Sequence, residues 1–367
     1  LDTLDGQRVA VRYRIDLGPL WRTGEVTWNA GPSGVDLTEF TGGSLLSQGG
    51  PFSVDGIEAE RNRIARVLQD RGYAQFDEAY VSFRADTLGA REKGDFLIPL
   101  EVIIRPAVSG DGTNPDVPHA RMRLGGIDIN QQTVGSAQPL RSHVLDYLIS
   151  TQVGELYNRK ELEKTYRRLM RLPAVSRVEM PTAARRDSTG ASVVDVEIKL
   201  WQRPRFGLQT ELDFTRTDAR YGPLARASWS DRNVSGRGDR LEWSVSAGIS
   251  STRPFSYSEG ALVPNSGEWS VEANYSILGI PPLGLNRLKQ SNSARSQVSL
   301  AFRRESRPDY LRKTLGFRYG FEFVENESRN SLINIDLIEF TYIDLESEPA
   351  FIEWLDSQTN AFLKSRF

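Results

Sequence analysis

Residues 241–249 read LEWSVSAGI, and their apolar members, such as Leu241, Trp243 and Val245, alternate with polar or small residues. Residues 206–214 (FGLQTELDF) and 225–229 (ARASW) carry the same alternation. Successive side chains of a β-strand point to opposite faces of the sheet, so each segment has one apolar and one polar face. The pattern predicts amphipathic strands, which both a soluble sandwich and a transmembrane barrel contain.

Four more alternating segments follow, at 269–277, 298–302, 315–323 and 333–342. In the last of them the alternation slips by one residue at Ile338, which predicts a β-bulge. The apolar face is rich in Trp, Phe and Tyr, as membrane interfaces require. The pattern therefore favours a membrane barrel over a soluble sandwich. The charges of the polar face, which a water-filled lumen would accept, are Glu211, Asp213, Arg226, Glu242, Glu272, Arg303, Arg318 and Glu322.

A β-α-α-β-β module precedes these strands and occurs twice, which is an internal repeat. The first copy has an extended run at 22–28, a helix capped by Ser53 or Asp55, and strands at 79–84 and 96–105. The second copy has a strand at 121–130, a short helix at 144–148, a helix capped by Asn158, and strands at 175–180 and 192–201. Each long helix carries an apolar stripe, formed by Ile57, Ile64, Val67 and Leu68 in the first copy and by Leu162, Tyr166 and Leu169 in the second. An alternating segment at 8–17 comes before both copies. Two unrelated α+β domains would give the same order of elements.

Each module carries a Gly-x-x-aromatic motif before its long helix, formed by Gly49 with Phe52 and by Gly154 with Tyr157. Glycine permits the tight turn that must precede the helix. The aromatic side chain is predicted to pack beneath that helix.

Composition and motifs narrow the classes of function. The chain has 367 residues, a net charge of -2, no cysteine and two histidines. The charge gives no support for nucleic-acid binding, and the lack of cysteine excludes disulfides and thiolate metal sites. No hydrolase, zinc-protease or nucleotide-binding motif occurs, so neither an enzyme nor a cofactor is predicted. No window is apolar enough for a transmembrane helix, so any crossing of a membrane would use strands.

The connection between the second and third alternating segments is the most specific motif, and residues 230–239 read SDRNVSGRGD. Gly236 and Gly238 allow positive φ, while Asn233 and Asp239 can hydrogen-bond to nearby backbone. The motif predicts a tight structural turn.

The repeated module and the turn resemble the Omp85 family of outer-membrane proteins. The modules look like POTRA domains, and the turn matches the family pattern Asn-hydrophobic-x-Gly-x-Gly-Asp at Asn233, Val234, Gly236, Gly238 and Asp239. The chain looks most similar to the assembly-module and translocation-module members. The resemblance implies α+β POTRA repeats followed by the N-terminal portion of an antiparallel transmembrane β-barrel. The implied divisions are 1–19 as the end of a preceding POTRA domain, 20–106 and 120–202 as POTRA domains, and 204–367 as the barrel portion.

Two departures from the family indicate a chain cut within the barrel. The family's barrels have about sixteen strands, and single-chain bacterial barrels have an even number, whereas seven segments are counted in this sequence. The inward loop with an Arg-Gly-aromatic tip is also missing. A small barrel of about eight strands is the alternative. The segment 346–367 is predicted to be a polar stretch with a short helix near 350–356.

The resemblance also implies a function. The protein would lie in the bacterial outer membrane, in contact with the lipid bilayer, with its modules in the periplasm. Edge strands at 79–84 and 175–180 would bind unfolded outer-membrane client proteins or accessory envelope subunits by β-augmentation. A passive channel or secretion pore with periplasmic docking domains is the alternative. One side of a lateral gate would be the strand that carries Phe206, Leu208, Leu212 and Phe214.

Overall fold

The computed structural model describes residues 2–4, 8–10, 20–93, 96–108, 117–216, 220–252, 265–279, 294–308, 310–326 and 331–347, together with residues 349 and 353. The chain divides into two compact units. Unit 1 comprises Leu1–Gly126, Val153–Lys160 and Thr182–Asp195, and unit 2 comprises Ile127–Gln152, Glu161–Pro181 and Val196–Phe367. The four boundaries proposed from the sequence remain predictions.

Two short strands come first. Strand β1 (Asp2–Leu4) pairs with β2 (Arg8–Ala10) in an antiparallel hairpin. The strand predicted at 8–17 begins where β2 begins, and its remaining residues lie outside the described part of the chain.

The first module is a three-stranded sheet with one long helix. Its strands are β3 (Arg22–Asn29), β4 (Val81–Ala85) and β5 (Leu97–Ile104), in the order β3-β5-β4. The central strand β5 is parallel to β3 and antiparallel to β4. The helices are α1 (Val54–Gln69) and α2 (Thr87–Lys93).

The first module differs from its predicted form in three places. Two 3-10 turns, at Gly31–Ser33 and Leu37–Glu39, stand where the pattern β-α-α-β-β requires a first helix. Helix α2 was not predicted. The strand predicted from residue 79 begins at Val81, because Asp77 accepts the Ala79 amide and closes a 3-10 turn over Glu78–Tyr80.

Helix α1 begins and packs as its sequence predicts. Ser53 is the cap, since its hydroxyl accepts the Gly56 amide at 3.1 Å, and Asp55 lies within the first turn. Ile64 and Leu68 are fully buried. They belong to a core that also contains Phe40, Phe76, Val81, Val102 and Ile104.

The burial of His119 predicts a pH-dependent stability for the first module. Its ring lies 4.7 Å from that of Phe76 and 4.6 Å from that of Tyr80, and Nε2 is 2.9 Å from the Arg105 carbonyl oxygen. Burial lowers the pKa of His119 from its ordinary value of 6.5, against the opposing effects of the Arg105 carbonyl and the Asp77 charge. Below that ordinary value the unfolded chain binds more protons than the folded chain, so the free energy of unfolding falls as the pH falls.

We therefore expect faster hydrogen exchange in β5 at pH 5.5 than at pH 7.5, after correction for the intrinsic pH dependence of exchange. Replacing His119 with glutamine should remove this difference. The other histidine, His143, is exposed, and His143→Gln is the matched control that should keep it. If the difference in exchange persisted in His119→Gln, groups other than His119 would be its cause.

The second module has one more strand than predicted. Its strands are β6 (Arg123–Gln132), β7 (Val175–Glu179), β8 (Thr182–Arg186) and β9 (Ser192–Gln202). The sheet order is β6-β9-β7, and the unpredicted β8 also pairs with β9. The helices are α3 (Ser142–Leu148) and α4 (Arg159–Met170).

The apolar stripe predicted for α4 is only partly buried. Leu162 and Leu169 are buried, whereas Tyr166 is 42% exposed. The sequence placed Tyr166 with the other two, and the structure places it on the solvent side of the helix.

Among the residues that the structure describes, seven antiparallel strands in chain order form the last sheet. The predicted fold class, α+β repeats followed by an antiparallel sheet, is confirmed, as are all seven predicted strands. They are β10 (Phe206–Arg216), β11 (Arg220–Asp231), β12 (Arg240–Thr252), β13 (Ser266–Leu278), β14 (Arg295–Ser306), β15 (Tyr310–Asn326) and β16 (Ser331–Ser347).

The register of this sheet agrees with the slip read from the sequence. Tyr319 lies opposite Ile338, and Gly320 lies opposite Asp336, which leaves Leu337 as the extra residue of a bulge. Strand β16 extends to Ser347, so the predicted polar stretch begins inside a strand. Of the helix predicted near 350–356, the described part includes only Glu353, which is helical.

The apolar face of the sheet is open to its surroundings. Leu208 is 75% exposed, Val245 51% and Leu300 49%. In a soluble sandwich, a second sheet would cover such a face, whereas a lipid-facing wall exposes it. Among the described residues, no helix is long and apolar enough to cross a membrane.

Candidate functional site

The turn between β11 and β12 is built on two buried polar side chains. Asn233 is 1% exposed and Asp239 is fully buried. The Asn233 Oδ1 accepts the Gly238 amide at 2.9 Å, and the Asp239 Oδ1 accepts the Ser235 amide at 3.0 Å. Gly236 and Gly238 have φ of 79° and 70°, a conformation that favours glycine. The four predicted motif residues therefore lie together in one turn.

The same turn hydrogen-bonds to the segment before α3 and lies close to the residue Leu172 after α4, all within unit 2. The Asn233 Nδ2 donates to the Gln138 carbonyl oxygen at 2.8 Å, and the Arg141 amide donates to the Gly236 carbonyl oxygen at 2.9 Å. A Cβ on Gly238 would lie 2.9 Å from Leu172 Cδ2. Gly238 thus allows Leu172 to approach closely, in addition to adopting the positive φ of the turn.

Two strand residues complete this arrangement, which we name the base network (Asn233, Asp239, Tyr275 and Arg295). The Tyr275 hydroxyl donates to the Asp239 Oδ2 at 2.7 Å. The Arg295 guanidinium donates to the carbonyl oxygens of Gly238 at 2.9 Å and Arg171 at 3.3 Å, and to the Ser276 hydroxyl at 3.2 Å. Sequence reasoning missed both strand residues, because nothing in their local pattern distinguishes them from other wall positions.

The start of β10 is held by an ion pair with the end of β11. The Arg205 Nε lies 2.9 Å from Asp231 Oδ1, and the Arg205 Nη2 lies 2.8 Å from Asp231 Oδ2. This bidentate hydrogen bonding raises the pKa of the Arg205 guanidinium, despite opposing desolvation. Only residues 203–205 separate β9 from β10, so the last strand of the second module leads directly into the wall.

The predicted gate residues share the apolar face of β10. Phe206, Leu208, Leu212 and Phe214 are 46%, 75%, 78% and 69% exposed. The Phe206 ring stacks on that of Trp229, with centroids 5.6 Å apart. Within the described part of the chain, β10 pairs with β11 and with no other strand.

The two Gly-x-x-aromatic motifs make the same bonds to the first strand of their modules. The amides of Gly49 and Gly154 donate to the carbonyl oxygens of Thr23 and Leu124, at 2.7 and 2.8 Å. The amides of Phe52 and Tyr157 donate two residues earlier, to Trp21 and Met122, at 3.0 and 2.9 Å. Both glycines have positive φ, of 81° and 88°. The aromatic residues therefore lie at a bridge to the first strand.

An arginine that the sequence reading missed completes each motif. The Arg22 and Arg123 Nη1 atoms donate to the carbonyl oxygens of Gly49 and Gly154, both at 2.8 Å. This equivalence of arginine, glycine and aromatic residue in the two modules supports their reading as copies of one unit.

Strands β4 and β7, which were proposed as binding edges, each lie at the end of their sheet order. Strand β8 pairs with the same neighbour, β9, as β7 does. At β4, Arg61 Nε of α1 donates to the Val81 carbonyl oxygen at 3.2 Å. Among the described residues, no group of three or more His, Cys, Asp or Glu side chains could hold a metal ion.

Fold and site together define a class of chain: tandem α+β modules that lead without a linker into an amphipathic antiparallel wall, with a buried polar network at their junction. No family model and no curated protein sequence matches this chain. Solved structures do match it. The crystal structure of BamA from Haemophilus ducreyi lacking POTRA domains 1–3 is 15% identical, with 89% of this chain and 52% of that chain covered and a TM-score of 0.49.

Two further structures are similar. CdiB from Acinetobacter baumannii is 12% identical, with 90% of this chain and 63% of that chain covered and a TM-score of 0.30. The N-terminal domain of Omp85 from Thermosynechococcus elongatus is 13% identical, with 50% of this chain and 98% of that chain covered and a TM-score of 0.19. Each is a likeness in fold, and the chain spans about half the length of the BamA structure.

Proposed function

We propose that this chain is part of a bacterial outer-membrane protein of the Omp85 type, which inserts or translocates other proteins, with its modules in the periplasm. The exposed apolar face of the seven-stranded sheet supports a place in the bilayer. Charged residues occupy the opposite face, where an aqueous lumen would accept them. Arginine or lysine at the midplane of the lipid face would cost about 2–4 kcal/mol.

The observation that carries the proposal is the set of direct hydrogen bonds, all within unit 2, between residues of the second module and the first strands of the wall. A passive pore needs only a wall. In this chain β10 continues from β9, Arg205 pairs with Asp231, and the turn of Asn233 bonds to Gln138. A force on the module would therefore reach β10. Such coupling suits a machine in which client binding outside the barrel changes the pairing of the first barrel strand.

We infer two places for client strands. Strands β4 and β7 lie at the ends of their sheet orders, and the backbone of an edge strand recognises an extended chain largely regardless of its sequence. Strand β10 would form one side of a lateral gate and would pair with the strand of a client.

The test uses the full-length protein in liposomes and exploits the lack of cysteine in these 367 residues. A cysteine replacing Leu208 on β10 should form disulfides with single cysteines in the edge strand of an unfolded outer-membrane client that is being inserted. Val245→Cys is the matched control, because it lies on the same face but in β12, which is paired on both sides. It should give little cross-linking.

Client insertion should also be faster than in liposomes without the protein. Equal cross-linking at Leu208→Cys and Val245→Cys would contradict strand addition at β10. Ion conductance without any acceleration of client insertion would instead favour the passive channel.

A further inference from the structure

Arg232, the residue that follows β11, reaches back across the start of β10. It is half-buried. Its Nη1 donates to the carbonyl oxygen of Pro204 at 2.9 Å and to that of Phe206 at 3.3 Å. One guanidinium nitrogen thus bridges two acceptors that lie two residues apart on the neighbouring strand.

The register of the strands shows where those acceptors point. Phe206 lies opposite Asp231, so Arg205 lies opposite Arg232, and the Arg232 amide donates to the Arg205 carbonyl oxygen at 2.9 Å. In an antiparallel pair, bonded and non-bonded positions alternate. Odd-numbered residues of β10 therefore bond to β11, and the backbone groups of Pro204, Phe206 and Leu208 point away from it. Arg232 occupies carbonyl groups of the outer edge of β10.

Gly207 opens the path for this side chain. It directly follows the Phe206 carbonyl, on the face from which Arg232 crosses. A Cβ at position 207 would lie 2.5 Å from Arg232 Nη2 and 3.0 Å from Arg232 Cζ. Any side chain at this position would displace the guanidinium, so Gly207 and Arg232 form a matched pair.

We propose that Arg232 is a cap on the outer edge of β10, which fills the first two acceptors and makes an added strand begin to pair at Leu208. The capping contact itself stands on the geometry, and its effect on an added strand rests on the proposed function. Charged side chains that block an edge limit uncontrolled pairing. Because Arg232 covers only the start of β10, the cap leaves the edge from Leu208 onward uncovered. It thereby fixes the register of a strand that pairs with this edge.

The first test measures the cap without any client. Hydrogen exchange of residues 204–209 is followed in the full-length protein in detergent for two variants, Arg232→Ala and Gly207→Ala. Both should accelerate exchange by about tenfold, because the start of β10 loses its bridge and opens more often. Arg226→Ala removes an exposed arginine from the same face of β11 and should leave exchange unchanged. Unchanged exchange in both cap variants would overturn the proposal.

The second test measures the register. A synthetic strand peptide with one cysteine, copied from the last strand of an outer-membrane porin, is added to full-length protein carrying Phe206→Cys or Leu208→Cys. With Arg232 present, cross-links should form at position 208 and be nearly absent at 206, and Arg232→Ala should bring position 206 to the level of 208. Equal cross-linking at 206 with and without Arg232 would overturn the register role. Accelerated exchange in the cap variants without cross-links at either position would support the cap and contradict strand addition, which separates the two proposals.

Discussion

Replacing Asp239 with alanine is expected to lower the free energy of unfolding of the wall by about 3 kcal/mol. The carboxylate is fully buried and accepts hydrogen bonds from the Ser235 amide and the Tyr275 hydroxyl. Without it, both part-buried donors lose their acceptor, and each such loss costs up to about 1–3 kcal/mol. Urea unfolding of the full chain in detergent, extrapolated linearly to water, measures the change.

Two further variants separate the causes of this loss. Tyr275→Phe removes one donor and leaves the Asp239 bond to the Ser235 amide, so it should cost only about 1 kcal/mol. Asp213→Ala removes an exposed carboxylate from the polar face of β10 and should change the free energy of unfolding by less than about 0.5 kcal/mol. If Asp239→Ala changed the free energy of unfolding as little as Asp213→Ala does, the base network would contribute nothing to stability.

The sequence predicted the wall well because both sides of a barrel strand have a fixed chemistry. Lipid on one face and water on the other impose a period of two, which can be read without knowing the partner strand. The bulge at Leu337 can also be read from the sequence, because one extra residue shifts Ile338 out of the alternation of apolar positions. In the modules the helix of Ser53 was found by its cap and stripe. Strand β8, which reads TAARR and is exposed throughout, has no such alternation.

The base network could not be predicted as a site. Its motif residues were found as a turn, because glycine, asparagine and aspartate act locally. Their partners are distant in the chain: Asn233 bonds to Gln138, and Gly238 bonds to Arg295. Such contacts depend on which strand of the sheet lies next to the end of a helix. The same holds for Arg232, whose role follows from the direction of the β10 carbonyls.

Replacing Arg295 with methionine is expected to cost about 3 kcal/mol and, in addition, to release α4 from the wall. The side chain is 9% exposed, and it bonds to Gly238 in the turn and to Arg171 just after α4. Methionine keeps much of the volume and provides no donor, so both carbonyl groups lose their partner. The free energy of unfolding is measured by urea titration.

Hydrogen exchange distinguishes release of α4 from a general loss of stability. In Arg295→Met, exchange should rise in residues 167–172 as well as in 236–240, because Arg295 hydrogen-bonds to both segments. Arg303→Met is the matched control, since it removes an exposed arginine from the same face of β14. Faster exchange in the turn alone would show that α4 is held by other contacts, such as the packing of Leu172 against Gly238. Joint acceleration, with slower client insertion by the full-length protein, would identify Arg295 as a positioning residue that couples the second module to the first strands of the wall.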